Sequence, residues 1–275
     1  MSVYKGDTPS YLKQSINSIL NQTYSDLFIL IGVDGTVTKE LSLCLDDYEE
    51  FENIRIIYFQ KNRGLAAVLN DLIRIGAENN IRFYARMDAD DIAMPERIMK
   101  QVEFLRKHID IDCLGTWAIE IDAIGNEYFR KQMPITNEEC LKFFKKRDCM
   151  IHPSVMFRSS FFEKAGLYSE DTYFGEDTIM WAKGFLNGCK FANLPEYLMK
   201  FRLNECFFDR RRGWKHAKSI FNLRNKVNKM LGFGISANIY AYMYAIVKMM
   251  PKPILNFLYT NGRCYDKTSD NKRYA

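Results

Sequence analysis

Histidine and tryptophan are scarce in this chain, three of each in 275 residues, and no Cys-x-x-C pair occurs anywhere in it. The seven cysteines, at 44, 113, 140, 149, 189, 206 and 264, are odd in number and scattered. That spacing excludes a disulfide framework and a Cys/His zinc site, and it fits small buried thiols in a reducing cytoplasm. A spanning helix needs about 20 apolar residues, and no such run is present. The longest nearly uncharged stretch, GFGISANIYAYMYAIV (232–247), stops at Lys248 and Pro251. There is no signal-peptide pattern, no internal repeat and no low-complexity linker.

What the chain does have is core-forming material and an uneven charge. At 47% hydrophobic residues it can bury one large domain, or one domain with an appendage. The net charge of +5 hides a division: residues 205–275 carry 14 Lys/Arg against 4 Asp/Glu, whereas residues 1–204 carry 25 against 30. A basic tail (+10) on a mildly acidic body (−5) points to an anionic partner surface, and the shift near 205 is the only domain boundary the composition suggests. Nucleic acid is a poor candidate for that partner, because charge is present without a recognised binding motif.

Continuous apolar runs at LFILIGV (27–33), IRIIYF (54–59) and IRFYARM (81–87) read as strands covered on both faces. Between them, Leu12, Ile16, Ile19 and Leu20 share one helical face, and so do Leu65, Val68, Leu69, Leu72 and Ile73 after Gly64. Strands alternating with helices predict an α/β fold with a parallel sheet. Further along, Pro95 suits the first turn of a helix through Ile98, Val102 and Leu105. CLGTWAIEID (113–122) and the residues after it predict a hairpin turning near Gly125, and HPSVMFR (152–158) predicts another strand. EDTIMWAKGFLNG (176–188) predicts a helix with acids in its first turn and Gly188 at its close. The first strand is short: MSVYKGDTPSYL reaches turn residues at Lys5-Gly6-Asp7 after barely three positions, which predicts that the numbered chain starts inside its own first strand.

The stretch RFYARMDADDIAMPER (82–97) places Asp88, Asp90 and Asp91 at the end of a predicted parallel strand, the edge where open α/β sheets bind ligands. Three carboxylates so close repel one another unless something positive lies between them. An EF-hand loop counted from Asp88 fails, since Ile92, Ala93 and Met99 fall where an oxygen ligand, Gly and Glu belong. A phosphatase-type Asp-x-Asp has no supporting motif downstream. A carboxylate pair spaced i, i+2 can instead hold a hard divalent cation that keeps positions open for phosphate oxygens. The competing role is a set of solvated acids capping the next helix.

MDADDIAMPERIMKQVEFL resembles the DxD region of family 2 glycosyltransferases, which have a GT-A fold. The likeness extends to SVYKGDTPSYLKQSINSILNQTYSDLFILIGVDGT, to NRGLAAVLN (62–70) and to GEDTIMWAKGFLNGCKFANLPEYLMKFR, in order, over roughly residues 1–204. The resemblance implies a GT-A domain over 1–204 that binds a nucleotide-diphosphate sugar, with UDP as the commonest nucleotide in the family. It implies that Val3 and Tyr4 lie at the nucleotide-facing end of the first strand and that Asp34 contacts the nucleoside, with Val33 standing where the family's turn has a first acid. Asp88 then contacts the ribose or assists the metal, and Asp90 is the main ligand of Mn²⁺ or Mg²⁺. Asp177, in GED, matches the general base of an inverting transfer. Glu176, His152, Trp181 and Asp91 are the candidate acceptor-side residues. Core packing is the competing role for Trp181, and a structural role satisfied by backbone is the competing one for His152. Arg202 matches an Arg that approaches the diphosphate or forms a surface ion pair. Family members have several apolar residues before the segment matching SVY, so the resemblance leads to the expectation of a native start upstream of Met1.

The basic, aromatic-rich tail is expected to be helical and to lie on an anionic membrane surface through residues 205–260, the competing role being a helical extension packed on the catalytic domain. That location suits a lipid-linked or lipopolysaccharide glycan acceptor at the cytoplasmic, inner face of a bacterial membrane. Two other functional readings stay open: a nucleotide-sugar-binding module without turnover, and a sugar-nucleotide pyrophosphorylase, although KGDTPSYLKQ is not the Gly-rich basic loop of the latter. A membrane-surface adaptor using the tail alone is more distant.

Overall fold

The computed structural model describes residues 1–171, 174–203, 213–251 and 254. The expected boundary at 205, the adjoining 205–212 and the terminal 255–275 lie outside the described residues, as do Cys206 and Cys264. The architecture is α/β, as the alternation of strands and helices predicts. Strands β1 (Ser2–Val3), β2 (Ile29–Asp34) and β3 (Ile54–Phe59) form a parallel three-stranded sheet in that order. In it Ile29 lies opposite Ile54, and Asp34 opposite Phe59. Helices α1 (Pro9–Leu20), α2 (Lys39–Asp46) and α3 (Leu65–Glu78) make the crossovers. Leu12, Ile16 and Ile19 form the buried stripe of α1, and Val68, Leu69 and Leu72 that of α3, because a 3.6-residue period returns them to one side.

The second sheet has six strands. β4 (Phe83–Ala85), β8 (Met156–Arg158), β6 (Cys113–Ile121), β9 (Phe191–Arg202) and β5 (Ile92–Ala93) stand in that spatial order, with β7 (Glu127–Lys131) paired to β6 off the main path. The parallel pair is β6 with β9, the two longest strands. One expectation is corrected here: the strand before the acidic cluster runs antiparallel to β8, Phe83 opposite Arg158 and Ala85 opposite Met156, not in a parallel ladder. The hairpin does turn at Gly125, whose φ of 97° favours glycine; one Asp122 carboxyl oxygen accepts from Ile124 N (3.0 Å) and Asn126 N (2.9 Å).

Among the described residues no strand of one sheet pairs with a strand of the other. A cavity of about 410 Å³ lies between them, lined by Leu30, Leu72, Tyr84, Met87 and Phe157 among others. Helix α4 (Arg97–Lys107) opens two residues after Pro95 and packs behind β9. Helices α5 (Asn137–Phe144), α6 (Ser159–Ala165) and α7 (Glu176–Leu186) enclose an aromatic core of Phe144, Phe157, Phe161, Trp181 and Phe191. An antiparallel pair, α8 (Trp214–Met230) and α9 (Ile235–Met249), leans on α7 through α8. The five described cysteines are all buried and free, and burial pushes the Cys113 and Cys149 thiols well up.

Candidate active site

The loop after β4 carries three carboxylates with three different surroundings. Asp88 is ion-paired to Arg86, whose guanidinium also donates to the Met87 carbonyl, and Ser15 Oγ holds the Asp88 carbonyl at 2.7 Å. Burial pushes the Asp88 carboxyl up, but Arg86 and His152 outweigh that and hold it below the ordinary carboxylate range. Asp91 is fully buried; one of its oxygens accepts from Arg202 N at 2.8 Å and the other has no partner. Burial and the neighbouring Asp90 and Asp88 charges raise its pKa well above normal. Asp90 lies between them, half-buried, and makes no ion pair among the described residues. Burial and the Asp88 charge push it up to about 6.

Arg202, near the end of β9, clamps this loop from below. Its Nε donates to the Asp90 carbonyl (2.9 Å), Nη1 to the Asp122 and Ala123 carbonyls (3.2 and 3.0 Å), and Nη2 to Gln14 Oε1 (2.8 Å). The guanidinium lies over the Tyr11 ring, 4.2 Å from its centroid. The surface ion pair does not fit: the side chain is buried, with four of its five N–H groups donated to three backbone carbonyls and the Gln14 side chain. A second buried arginine, Arg97, donates from Nη2 to the Arg86 carbonyl at 2.7 Å and from Nε to Gln101 at 3.1 Å.

The nucleotide-side candidates meet at the ends of β1 and β2. Tyr4 is exposed at the edge of the site, its N–H donating to Asp7 Oδ2 at 2.8 Å, while Val3 is buried in the core. Asp34 is also buried. Its two carboxyl oxygens accept from Arg63 N (2.7 Å) and Gly64 N (2.9 Å), so it fixes the loop before α3. Gly35 sits directly against that loop: a Cβ there would come within 2.7 Å of Asn62 N.

On the far side, Gly175 (φ 84°) turns the chain into α7, leaving Glu176 and Asp177 half-exposed in its first turn. Asp177 Oδ1 accepts from Thr178 N at 2.7 Å, and the Thr178 hydroxyl donates to Asp148 at 2.9 Å. His152 bonds the Tyr168 hydroxyl through Nε2 at 2.8 Å. Burial, and next the Arg86 charge, lower the His152 pKa to about 3, so the ring is neutral at pH 7. Tyr168 joins the two halves: His152 bonds its hydroxyl, while Asp177 and Glu176 act on it electrostatically. Two acceptor-side expectations do not survive. Trp181 is fully buried and stacks on Phe157 (5.8 Å, 21°), and Asp91 lies beneath the loop, so neither presents a face to a solute.

Among the described residues no three His, Cys, Asp or Glu side chains converge as a preformed metal site. The fit to a divalent cation is therefore of the kind in which one or two carboxylates are completed by phosphate oxygens and water. Asp90 suits it: a half-buried carboxyl whose pKa is pushed up to about 6 by burial, and next by the Asp88 charge, gains from a cation. Sequence reading missed Arg86, Arg97, Ser15 and Tyr168. Only Arg86 carried a signal, as a cation two positions before Asp88.

Comparison with known proteins identifies the family and the fold. Residues 1–164 match the model of glycosyl transferase family 2. The amylovoran biosynthesis glycosyltransferase AmsE of Erwinia amylovora is 31% identical over 266 residues, covering 96% of this chain and 97% of that protein. An Escherichia coli UDP-Gal:alpha-D-GlcNAc-diphosphoundecaprenol beta-1,3-galactosyltransferase is 29% identical, covering 96% and 92%. Among solved structures, Staphylococcus aureus TarS residues 1–349 with UDP-GlcNAc superposes with a TM-score of 0.61 at 14% identity, covering 90% of this chain and 78% of that one. Mannosyltransferase PcManGT of Pyrobaculum calidifontis, with GDP-Man and Mn²⁺, also gives 0.61, at 13% identity and with 95% and 78% covered. The fold is thus that of the GT-A glycosyltransferases. The chain belongs to glycosyl transferase family 2.

Proposed function

We propose that the protein is an inverting, metal-dependent transferase that moves a hexose or N-acetylhexosamine from a UDP-sugar to a hydroxyl of a lipid-linked or lipopolysaccharide glycan, in the making of a bacterial surface polysaccharide. The observation that carries the reading is the division of labour among the three acids: Asp88 is neutralised by Arg86, Asp91 is buried under Arg202, and Asp90 alone is half-open with a raised pKa. Mn²⁺ or Mg²⁺ at Asp90, assisted by Asp88, would offset the negative charge that grows on the departing diphosphate. Tyr4 borders the nucleotide, Val3 anchors its strand in the core, and Asp34 shapes the nucleotide side by holding the Arg63–Gly64 backbone. Asp177 accepts the proton of the acceptor hydroxyl as that oxygen attacks the anomeric carbon on the face opposite the diphosphate. Attack from that face inverts the carbon in one displacement. Glu176 and His152 border the acceptor side.

The acceptor class follows the E. coli relative, whose name specifies a diphosphoundecaprenol-linked acceptor. An acceptor of that class would be met at the inner face of the membrane, and the basic C-terminal part of the chain is the part proposed to meet its anionic surface. The testing experiment is calorimetric titration of UDP, GDP, CDP and dTDP with Mn²⁺ and then with EDTA, on wild type, Asp90→Ala and Asp177→Asn. Metal-dependent binding of UDP is expected for wild type and is lost in Asp90→Ala, whereas Asp177→Asn binds normally and loses transfer by at least about a hundredfold. Unchanged metal-dependent affinity in Asp90→Ala overturns the metal assignment, and normal transfer by Asp177→Asn overturns the base.

A further inference from the structure

Helix α9 buries small residues on one side and leaves a large apolar side bare. Ala237, Ala241 and Ala245, spaced by four, are the buried positions of α9. Its opposite stripe is Ile235, Ile239, Tyr242, Met243 and Ile246, with relative exposures of 80%, 55%, 60%, 55% and 36%. Such a contiguous apolar face on a folded chain marks an interaction surface. The face continues into an open groove of about 690 Å³ between the helices, walled by Phe221, Phe233, Ile239 and Tyr242 with Lys229 at its side.

The charge around this face has one sign. From Trp214 to Met250 the sequence carries six Lys/Arg and no Asp or Glu. Arg224 is buried, but Lys215, Lys218, Lys226 and Lys229 are exposed. Other lysines lie over rings at the margin: Lys146 is 4.9 Å from the Tyr240 centroid, and Lys248 is 5.2 Å from that of Tyr244. Apolar side chains at the centre, tyrosines at the edge and cations around them match a helix lying flat in a headgroup layer. The described helices include none long and apolar enough to cross a membrane, so the contact is with a surface.

We propose that the open face of the α8–α9 hairpin docks on an anionic phospholipid bilayer, with α9 in the headgroup plane and Ile239, Tyr242 and Met243 as the inserted side chains. The inference rests on the proposed function only in its choice of a lipid-linked acceptor, and it sharpens the membrane contact to one helix face. It also assigns that contact a consequence for the site. Leu223 of α8 packs on the base turn so closely that a Cβ on Gly175 would lie 2.2 Å from its Cδ2. Arg224 donates to Asp148 at 2.9 Å, the same carboxylate that receives the Thr178 hydroxyl. A docked hairpin therefore fixes the turn bearing Asp177 relative to the lipid surface.

The test is flotation of the full chain with vesicles of phosphatidylcholine alone and with phosphatidylglycerol added, alongside UDP/Mn²⁺ calorimetry. Flotation is expected only with the anionic vesicles and weakens with salt. Ile239→Asp/Tyr242→Asp abolishes it, while Lys226→Gln and Lys229→Gln each lower the partition about fivefold. UDP affinity and transfer to a water-soluble acceptor stay unchanged in all of these variants, which shows that they fold. Absence of wild-type flotation, or flotation indifferent to the apolar pair, overturns the docking surface even where transfer persists. Concentration-dependent dimerisation lost in Ile239→Asp/Tyr242→Asp, without flotation, reassigns the face to a subunit contact. Normal flotation of a protein that binds no nucleotide leaves the docking surface standing and overturns the proposed function instead.

Discussion

Three carboxylates within four residues titrate as a set, and their partners decide which of them is free to meet a cation. Asp90 is pushed up to about 6 by burial and the Asp88 charge, so it is largely protonated at pH 5 and ionised at pH 7. Since a metal ligand must be deprotonated, metal-dependent UDP affinity is expected to fall about tenfold between pH 7 and pH 5, measured by calorimetry at fixed Mn²⁺. The stability effect without metal has the opposite sign. A carboxyl whose folded pKa lies above its unfolded one makes the unfolded chain the weaker proton binder between pH 4 and 6, so stability falls as pH rises through that window. Wild type should therefore lose Tm relative to Asp90→Asn over this range in EDTA. A second prediction concerns Arg202. Replacing it by Met leaves the Asp90, Asp122 and Ala123 carbonyls without their donor and is expected to cost about 3 kcal/mol in urea unfolding. Arg202→Lys keeps the charge but not the fork, and should weaken metal-dependent UDP binding about tenfold or more. The acids themselves were legible in the sequence because their spacing is local. Arg202 was visible but its role was not, since its side-chain partners lie 79 to 188 positions away.

At the scale of elements, the turn that carries the proposed base depends on a helix of the basic C-terminal tail. Arg224 touches none of the proposed substrate-binding residues, yet it ties α8 to Asp148 and, through Thr178, to the first turn of α7. Arg224→Met is expected to lower kcat about tenfold with UDP affinity unchanged, because it loosens the base and not the donor site. Gly175→Ala should do the same and also destabilise, by about 1–2 kcal/mol from the positive φ alone. Steady-state kinetics beside calorimetry separates the two readouts. The elements differ in how far local pattern reveals them. β2 and β3 were legible as continuous apolar runs, α1 and α3 from their helical period, and α7 from its first-turn acids and closing Gly188, all of them local signals. β4 was found but its direction was not, since strand direction is set by a partner some 70 residues further on. β9 gave no strand signal although it is the longest strand. Pro195 interrupts its pattern, and the β6–β9 register shifts there, from Thr116 opposite Leu194 to Trp117 opposite Tyr197.

Across the whole molecule, the candidate donor site has one wall on each sheet. Asp34 ends β2 and Tyr4 directly follows β1, on the first sheet, while Asp90 lies on the loop between β4 and β5 and its clamp Arg202 ends β9, on the second. Because the described strands of the two sheets share no pairing, side-chain contacts and the crossover helices hold them together, with Ser15 and Gln14 of α1 reaching the acidic loop and its clamp. A nucleotide diphosphate with its cation would add a brace across that seam. Ligand at about a hundredfold over Kd stabilises by about 2.7 kcal/mol. At about 2–4 °C per kcal/mol for a chain of this size, UDP with Mn²⁺ should raise Tm by about 5–10 °C. Either component alone should give much less, EDTA should reverse the shift, and Asp90→Ala should remove it. Hydrogen exchange supplies the discriminating readout. If the nucleotide bridges the seam, protection rises together in Ile29–Asp34 and in the loop after Ala85. If protection rises in only one of these segments, the site lies on one sheet and the shared-wall arrangement is wrong.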